Sequence, residues 1–287
     1  MNLNRNIFFL FTTALVFLCS FQTGATEFSR PGGSRGAGLG NSGFALDDFW
    51  SVTNNPAGLA GISDITAGFY FENRFLVKEL STRAGGFALP TPSGVFGINM
   101  LYFGYSQYNE SKVGLAYGRS IGKVLSLGLQ LDYLSTRIAE GYGNKNLVTF
   151  EVGIRAKLTD DLALAAHVFN PIGVKLEKEY DERIPTIFRL GASYYFSENI
   201  MATVEAEKDT DYKPLFRCGL EYKMIDNVSF RVGYSTLPAK TGSDKISIAS
   251  LFTFGFGLNF QKLVIDFAAS MHQTLGWSPQ VSMYYKF

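Results

Sequence analysis

The sequence predicts an all-β chain that closes into a transmembrane, antiparallel, up-and-down β-barrel of about 14 strands. Three observations predict it. Tight connections alternate with wider, polar ones along the chain. The segments between them alternate apolar and polar residues. The closing run Val281–Phe287 keeps apolar side chains at every second position and ends on an aromatic. Short turns on one rim and longer loops on the other are the pattern of bacterial outer-membrane barrels, whose turns face the periplasm.

The tight turns fall near 91–93, 121–123, 159–161, 197–199, 225–227 and 261, and the wider links near 106–111, 137–145, 170–184, 209–213, 237–245 and 273–276. They delimit expected strands at 64–76, 80–90, 93–105, 111–120, 123–136, 145–158, 161–170, 184–196, 199–208, 214–224, 227–236, 245–260, 262–272 and 277–287. An even count returns the C-terminus to the rim of the short turns. The hairpin at the start carries the weakest pattern, so twelve strands is the alternative.

Each strand has two unlike faces. In Leu125–Tyr133 and Val148–Ala156 one set of alternate positions is apolar and the other small or polar, and Phe188–Tyr194, Phe230–Tyr234 and Phe252–Phe260 repeat the pattern. Successive side chains point to opposite sides of a sheet, so one face is greasy and the other polar. A soluble sandwich would alternate too. The strands, however, are long enough to cross a bilayer at a tilt. Their polar face sets isolated charges beside glycine, which suits a crowded interior.

The bulk numbers agree. Of 287 residues, 15% are aromatic and 30 are glycine, while the net charge of +1 leaves no basic footprint for nucleic acid. Arg5, the apolar run Ile7–Leu18 and the small residues up to Ala25 read as a signal peptide over 1–25, since a run of that length is too short for a membrane helix. Cleavage near Ala25 leaves Cys218 as the only mature cysteine. The remaining chain divides into a leading segment, 26–62, and a barrel, 63–287.

The leading segment breaks the strand pattern. Gly38, Gly40 and Gly43 match the letters of a dinucleotide fingerprint, but no strand precedes them, so that reading is set aside. Asn55-Pro56 reads as a helix cap followed by proline at the first helical position, stopped soon by Gly58. A ring of fourteen strands encloses more space than its own side chains fill, and a compact leading segment could plug it. The alternative is a tail in the periplasm.

Here the chain resembles a known family. Ser34–Ala45, the acidic pair Asp47-Asp48 and then Asn54, Asn55, Pro56, Ala57, Gly58 and Leu59 are similar to the opening of PorV/PorQ proteins, which belong with the FadL-like barrels. The resemblance implies an Asn-Pro-Ala hatch inside a fourteen-stranded wall. It further implies an accessory or anchoring role in type IX protein secretion, with translocon or attachment proteins as partners. The rival expectation is a FadL-like channel for hydrophobic small molecules. Such a channel needs an apolar pocket beneath the outer loops, whereas the inward set reads as mostly polar or small.

The inward-facing charges expected from alternation are Asp132, Glu151, Arg155, Lys157, Arg189, Glu205, Glu207, Arg217, Glu221, Arg231 and Asp266. A tight turn at 197–199 sets Phe196 opposite Ile200, and hence Arg189 opposite Glu207. A loop centred on Asp211 sets Glu205 opposite Arg217 and leaves Glu221 and Arg231 diagonal. Such a ladder neutralises charges that would be costly alone. It reads either as a structural lining or as a selectivity lining. The two histidines, His167 and His272, also face inward. Ser270 lies near His272, but no third group completes a hydrolase arrangement, and no Cys/His/Asp spacing suits a metal. The chain is therefore expected to need no cofactor and to be no enzyme, with membrane lipid around its greasy face.

Overall fold

The computed structural model describes residues 28, 32–139, 143–177, 182–210, 212–236 and 250–287. The expected signal peptide and the loop at 237–245 lie outside the described residues, as do Asp211 and positions 245–249 of one expected strand.

Fourteen antiparallel strands close into a barrel. They are β1 (Thr66–Asn73), β2 (Ser81–Thr91), β3 (Gly94–Gly104), β4 (Tyr108–Ile121), β5 (Leu125–Ile138), β6 (Gly143–Lys157), β7 (Leu162–Phe169), β10 (Ile187–Ser197), β11 (Ile200–Asp209), β12 (Leu215–Ile225), β13 (Val228–Thr236), β14 (Ser250–Phe260), β15 (Leu263–His272) and β16 (Gly276–Lys286). Two short strands, β8 (Lys175–Glu177) and β9 (Glu182–Arg183), form a separate pair in the connection between β7 and β10. Closure runs through β1 and β16, from Thr66 opposite Lys286 to Glu72 opposite Gln280.

The two faces sort as alternation requires. Leu127, Leu129, Leu131 and Tyr133 of β5 are exposed on the outside, and so are Met283, Tyr285 and Phe287 at the end of the chain. On the inside, Gln130, Asp132 and Leu134 of the same strand β5 are buried. No helix among the described residues is long and apolar enough to cross a membrane; the strands carry the apolar belt instead.

Several boundaries differ from expectation. β1 stops at Asn73, because 3₁₀ turns at Arg74–Leu76 and Lys78–Leu80 lead into β2. Phe75 and Leu76 both take left-handed backbone angles there, at φ 55° and 57°, which no strand accommodates. β4 begins at Tyr108, so the expected wide link at 106–111 is as tight as a turn. The connection between β15 and β16 is equally short. β6 extends back to Gly143, pairing with Ile138. β10 begins at Ile187 rather than 184.

The leading segment forms two short helices, α1 (Ser34–Gly38) and α2 (Ser51–Asn54), and 3₁₀ turns at Gly43–Ala45 and Pro56–Gly61. Asn55 caps the last of these, its Oδ1 accepting from the Ala57 N–H at 3.1 Å, with Pro56 at the first position. The turn runs through Gly58 to Gly61, so Gly58 does not end it. Gly58 is required for another reason: a Cβ there would meet Ser51 Oγ at 2.4 Å.

Candidate functional site

Residues 32–61 lie against the inward face of the barrel. Phe49, Trp50, Val52 and Leu59 are buried against Tyr70, Ala84, Ala88, Val95, Leu101, Phe103 and Ala116 of β1–β4. On that side of the lumen the wall is apolar. Elsewhere the wall gives way to the segment through glycine. A Cβ added at Gly128 would stand 2.1 Å from the Pro56 carbonyl carbon, and one at Gly233 would stand 2.1 Å from the Gly40 nitrogen. Such approaches are possible only where no side chain intervenes. The glycines that mimic a nucleotide motif have the same explanation, since Gly38 abuts Gly255.

Polar contacts fasten the segment as well. Asn54 Oδ1 accepts from the Gly32 N–H at 2.8 Å, and its Nδ2 donates to the Gly32 carbonyl at 3.1 Å. Arg35 donates from Nε and Nη2 to Glu221 at 2.9 and 2.7 Å and lies 3.3 Å from Asp48. Burial opposes the charge on Arg35, but Glu221 and then Asp48 more than offset it and hold its pKa above the ordinary value. Burial lifts the Asp48 carboxyl above its usual range, and Arg35 offsets only part of that. Arg155 reaches Asp47 at 3.2 Å and donates from Nε to the Ala45 carbonyl at 3.0 Å.

The inward charges assemble into networks. Arg189 stands opposite Glu207, with Nε to Oε2 at 2.7 Å. Arg217 stands opposite Glu205 and bonds it at 2.6 Å, and also reaches Glu207 at 2.9 Å. Arg231 joins Glu221 at 2.5 Å and Asp266 at 2.6 Å. Two details of the expected register change. Phe196 is skipped by a bulge, so Ser197 takes the place opposite Ile200. A second bulge between Lys223 and Ile225 sets Glu221 directly opposite Arg231 rather than diagonal. Lys157 is exposed beside a turn, paired with Asp160 at 2.9 Å, and does not join the lumen.

A further network was not anticipated. Lys112, on β4, is buried and bonds Glu151 at 2.9 Å; His167 Nε2 lies 2.8 Å from the other Glu151 oxygen. Gln130 donates to Asp132 at 2.7 Å, and Asn99 donates to Gln130 at 2.9 Å and to the Val52 carbonyl at 2.6 Å. His272 sits apart: its Nδ1 accepts from the Thr274 and Leu275 N–H groups, both at 3.1 Å, fastening the β15–β16 turn. Ser270 bonds Gln280 at 3.1 Å. Cys218 is free and exposed on the outward face.

Toward the outer rim the lumen turns apolar. Leu134, Phe169, Ile184 and Ile187 form a buried cluster with Leu147 against it, and Phe28 inserts among them with 2% of its surface exposed. This corrects the expectation of a mostly polar or small lining. Above the cluster, Asn170 holds the β7–β10 connection at φ 50°, its Nδ2 donating to the Ile184 carbonyl at 2.7 Å and its Oδ1 accepting from Thr149 at 2.7 Å. At the opposite end, beside the short turns, a polar cavity of about 300 Å³ is lined by Arg35, Tyr195, Glu221, Lys223, Arg231 and Asp266, among others.

No family model and no curated protein matches the sequence. Solved structures do match the fold. The CymD monoaromatic hydrocarbon channel superposes with a TM-score of 0.68 at 12% identity, covering 92% of this chain and 99% of that one. The toluene transporter TbuX of Ralstonia pickettii gives 0.65 at 13% identity, covering 91% and 100%. A FadL homologue of Pseudomonas aeruginosa gives 0.63 at 13% identity, covering 93% and 99%. The chain therefore has the fold of FadL-like outer-membrane barrels.

Proposed function

We propose that this chain is an outer-membrane channel for small hydrophobic molecules, with residues 26–62 as its plug. The observation that supports it most directly is the apolar chamber of Leu134, Leu147, Phe169, Ile184 and Ile187, set in an otherwise charged half of the lumen and filled by the ring of Phe28. The fold-level likeness to hydrocarbon channels favours the same reading. Asn54, Asn55, Pro56, Ala57 and Gly58 then act by shaping and fastening the plug. Arg189, Glu205, Glu207, Arg217, Glu221 and Arg231 brace the wall and seat it. The test is uptake of a radiolabelled aromatic hydrocarbon by a Gram-negative host lacking its own channels. Expression of the chain should raise the initial rate several-fold; a rate equal to that of an unrelated barrel refutes the proposal.

A second reading, an accessory role in type IX secretion, rests on the resemblance of residues 34–59 to PorV/PorQ proteins. Translocon or attachment proteins retained on the solubilised barrel, together with no hydrocarbon uptake, would favour it over the channel.

A further inference from the structure

One strand of the wall has a bare edge at the outer rim. β6 pairs with β5 without interruption from Ala156 to Gly143. Its pairing with β7 stops well short of that, at Glu151 opposite Phe169, and the Phe150 carbonyl then accepts once more from the Asn170 N–H at 3.1 Å. β7 goes no farther because Asn170 takes φ 50°, a left-handed angle that leads the chain away from β6. The Asn170 side chain fixes this departure: Oδ1 accepts from Thr149 and from the Val174 N–H, and Nδ2 donates to the Ile184 carbonyl. Beyond it, β8 and β9 bond to each other in a sheet of their own.

Along a strand, the backbone groups of successive residues turn alternately to its two neighbours. The Lys157 N–H turns to β5, where it donates to the Val124 carbonyl, and Phe150 turns to β7. The N–H and C=O of Val148, Asn146 and Asn144 therefore turn to the β7 side. There they have no hydrogen-bond partner among the described residues. This edge rises above the apolar belt. Level with Asn146, the outward row runs through Ser135, Ser111 and Tyr102 to Arg83, and the row above holds Arg137 and Asn109. Residues 143–150 contain neither proline nor a bulge, two devices that blunt exposed edges.

Donors and acceptors repeating about every 7 Å along a line match the main chain of an extended peptide. A second copy of the barrel does not fit. Two antiparallel copies of β6 would be related by a twofold axis normal to the sheet. That axis lies in the membrane plane and turns one barrel upside down. A wall strand laid parallel to β6 would run down into β7, which holds the next place from Phe169 onward. The added strand must end or turn away above Phe169.

We propose that the upper part of β6 is a docking edge, where a loop or chain end of another protein adds about five residues as an antiparallel strand. Its outward side chains stand beside Asn144, Asn146 and Val148. Its inward ones stand beside Lys145 and Leu147, and the one beside Leu147 is apolar, because Leu147 packs against the chamber. This surface is independent of the channel reading.

The experiment uses the full-length protein, isotope-labelled in detergent micelles, and follows the exchange of single amides by NMR. Asn144, Asn146 and Val148 should exchange at least about tenfold faster than Lys145, Leu147 and Thr149, whose N–H groups bond β5. The probe is the end-blocked peptide Thr-Val-Thr-Val-Thr at millimolar concentration, which should slow the three fast amides several-fold. N-methylation of its threonines, whose amides would face β6, should abolish the slowing. N-methylation of its valines, whose amides would face away, should preserve it. Asn146→Pro removes a donor that bonds nothing in the wall. The variant should keep the heat-dependent migration of a folded barrel and lose the slowing at Asn144 and Val148. Equal exchange of the two sets of amides, no slowing by the peptide, or slowing that survives N-methylation of the threonines overturns the proposal. The channel reading stands in each case.

Discussion

Gly128 offers a direct test of whether the leading segment is a wedged plug. An alanine there would place its Cβ 2.1 Å from the Pro56 carbonyl carbon and 2.2 Å from the Ala57 nitrogen, where ordinary contact begins at 3.4 Å. Something must recede by about 1.3 Å, and both sides of the clash are backbone. β5 is bonded along its whole length to β4 and β6, so the turn Pro56–Gly61 is the side that yields. Overpacking of this kind costs about 1–3 kcal/mol. Burying the Leu59 side chain, which that docked turn contributes, is worth about 1.5–3 kcal/mol. The two are comparable, so Gly128→Ala should leave the turn undocked in a substantial fraction of molecules while the wall stays closed. Limited proteolysis of the purified barrel reads this out: the variant should be cut within residues 50–62 at least several-fold faster than the parent, with unchanged heat-dependent migration. Gly85→Ala is the control, since its Cβ would meet only the Gly68 carbonyl at 3.5 Å. Equal resistance of Gly128→Ala and the parent would refute the wedge.

Three further outcomes follow from the wall. Glu207→Gln strips a buried partner from both Arg189 and Arg217, and its cost should lie near the lower end of about 3–5 kcal/mol because Arg217 keeps Glu205; Glu205→Gln should cost clearly less in the same urea titration in micelles, and a reversed order would contradict the network. Leu131→Lys puts a charge on the outward face, where Leu131 is 57% exposed, and should destabilise the barrel in lipid by about 2–4 kcal/mol but far less in detergent; equal losses in both would contradict the lipid-facing assignment. Cys218, exposed beside Phe216 and Leu220, should react in intact membranes with an apolar maleimide and resist a charged one; labelling by both would contradict it.

How much of this could be read from residues alone varies with the kind of signal. The wall could, because two-residue alternation and the spacing of turns are local. The register of β10 against β11 could too: a turn at 197–199 places Arg189 across from Glu207, and although the turn is one residue shorter, with Ser197 opposite Ile200, the bulge at Phe196 makes up that residue and restores the pair. The bulge near Met224 has no such sequence mark, and it converts the Glu221–Arg231 diagonal into a direct pair. Lys112 escaped because β4 was expected to begin at 111, which put that lysine on a rim instead of three residues farther along a strand beginning at Tyr108. Arg35 escaped because its glycine-rich surroundings carry no strand alternation from which a facing partner could be read, although those glycines are where segment and wall meet most closely. The chamber was the hardest to foresee. Leu134, Phe169, Ile184 and Ile187 lie on or beside three strands far apart in sequence, and Phe28 reaches them from a segment with no periodicity at all.

The energetics of the interior also bear on what could pass. Withdrawing the whole leading segment would part Arg35 from Glu221 and Arg155 from Asp47 and uncover Trp50, Val52 and Leu59, each essentially fully buried. Each of those apolar side chains alone is worth about 1.5–3 kcal/mol. Unseating Phe28 costs one such increment, and a guest of similar size restores it on arrival. On the proposed channel reading, exchange at Phe28 is therefore the least costly way to admit a molecule, and the guest it admits is about the size of a single ring. A folded protein cargo could not follow that route. On that reading, a part in secretion would fall to the outer loops or the lipid-facing wall.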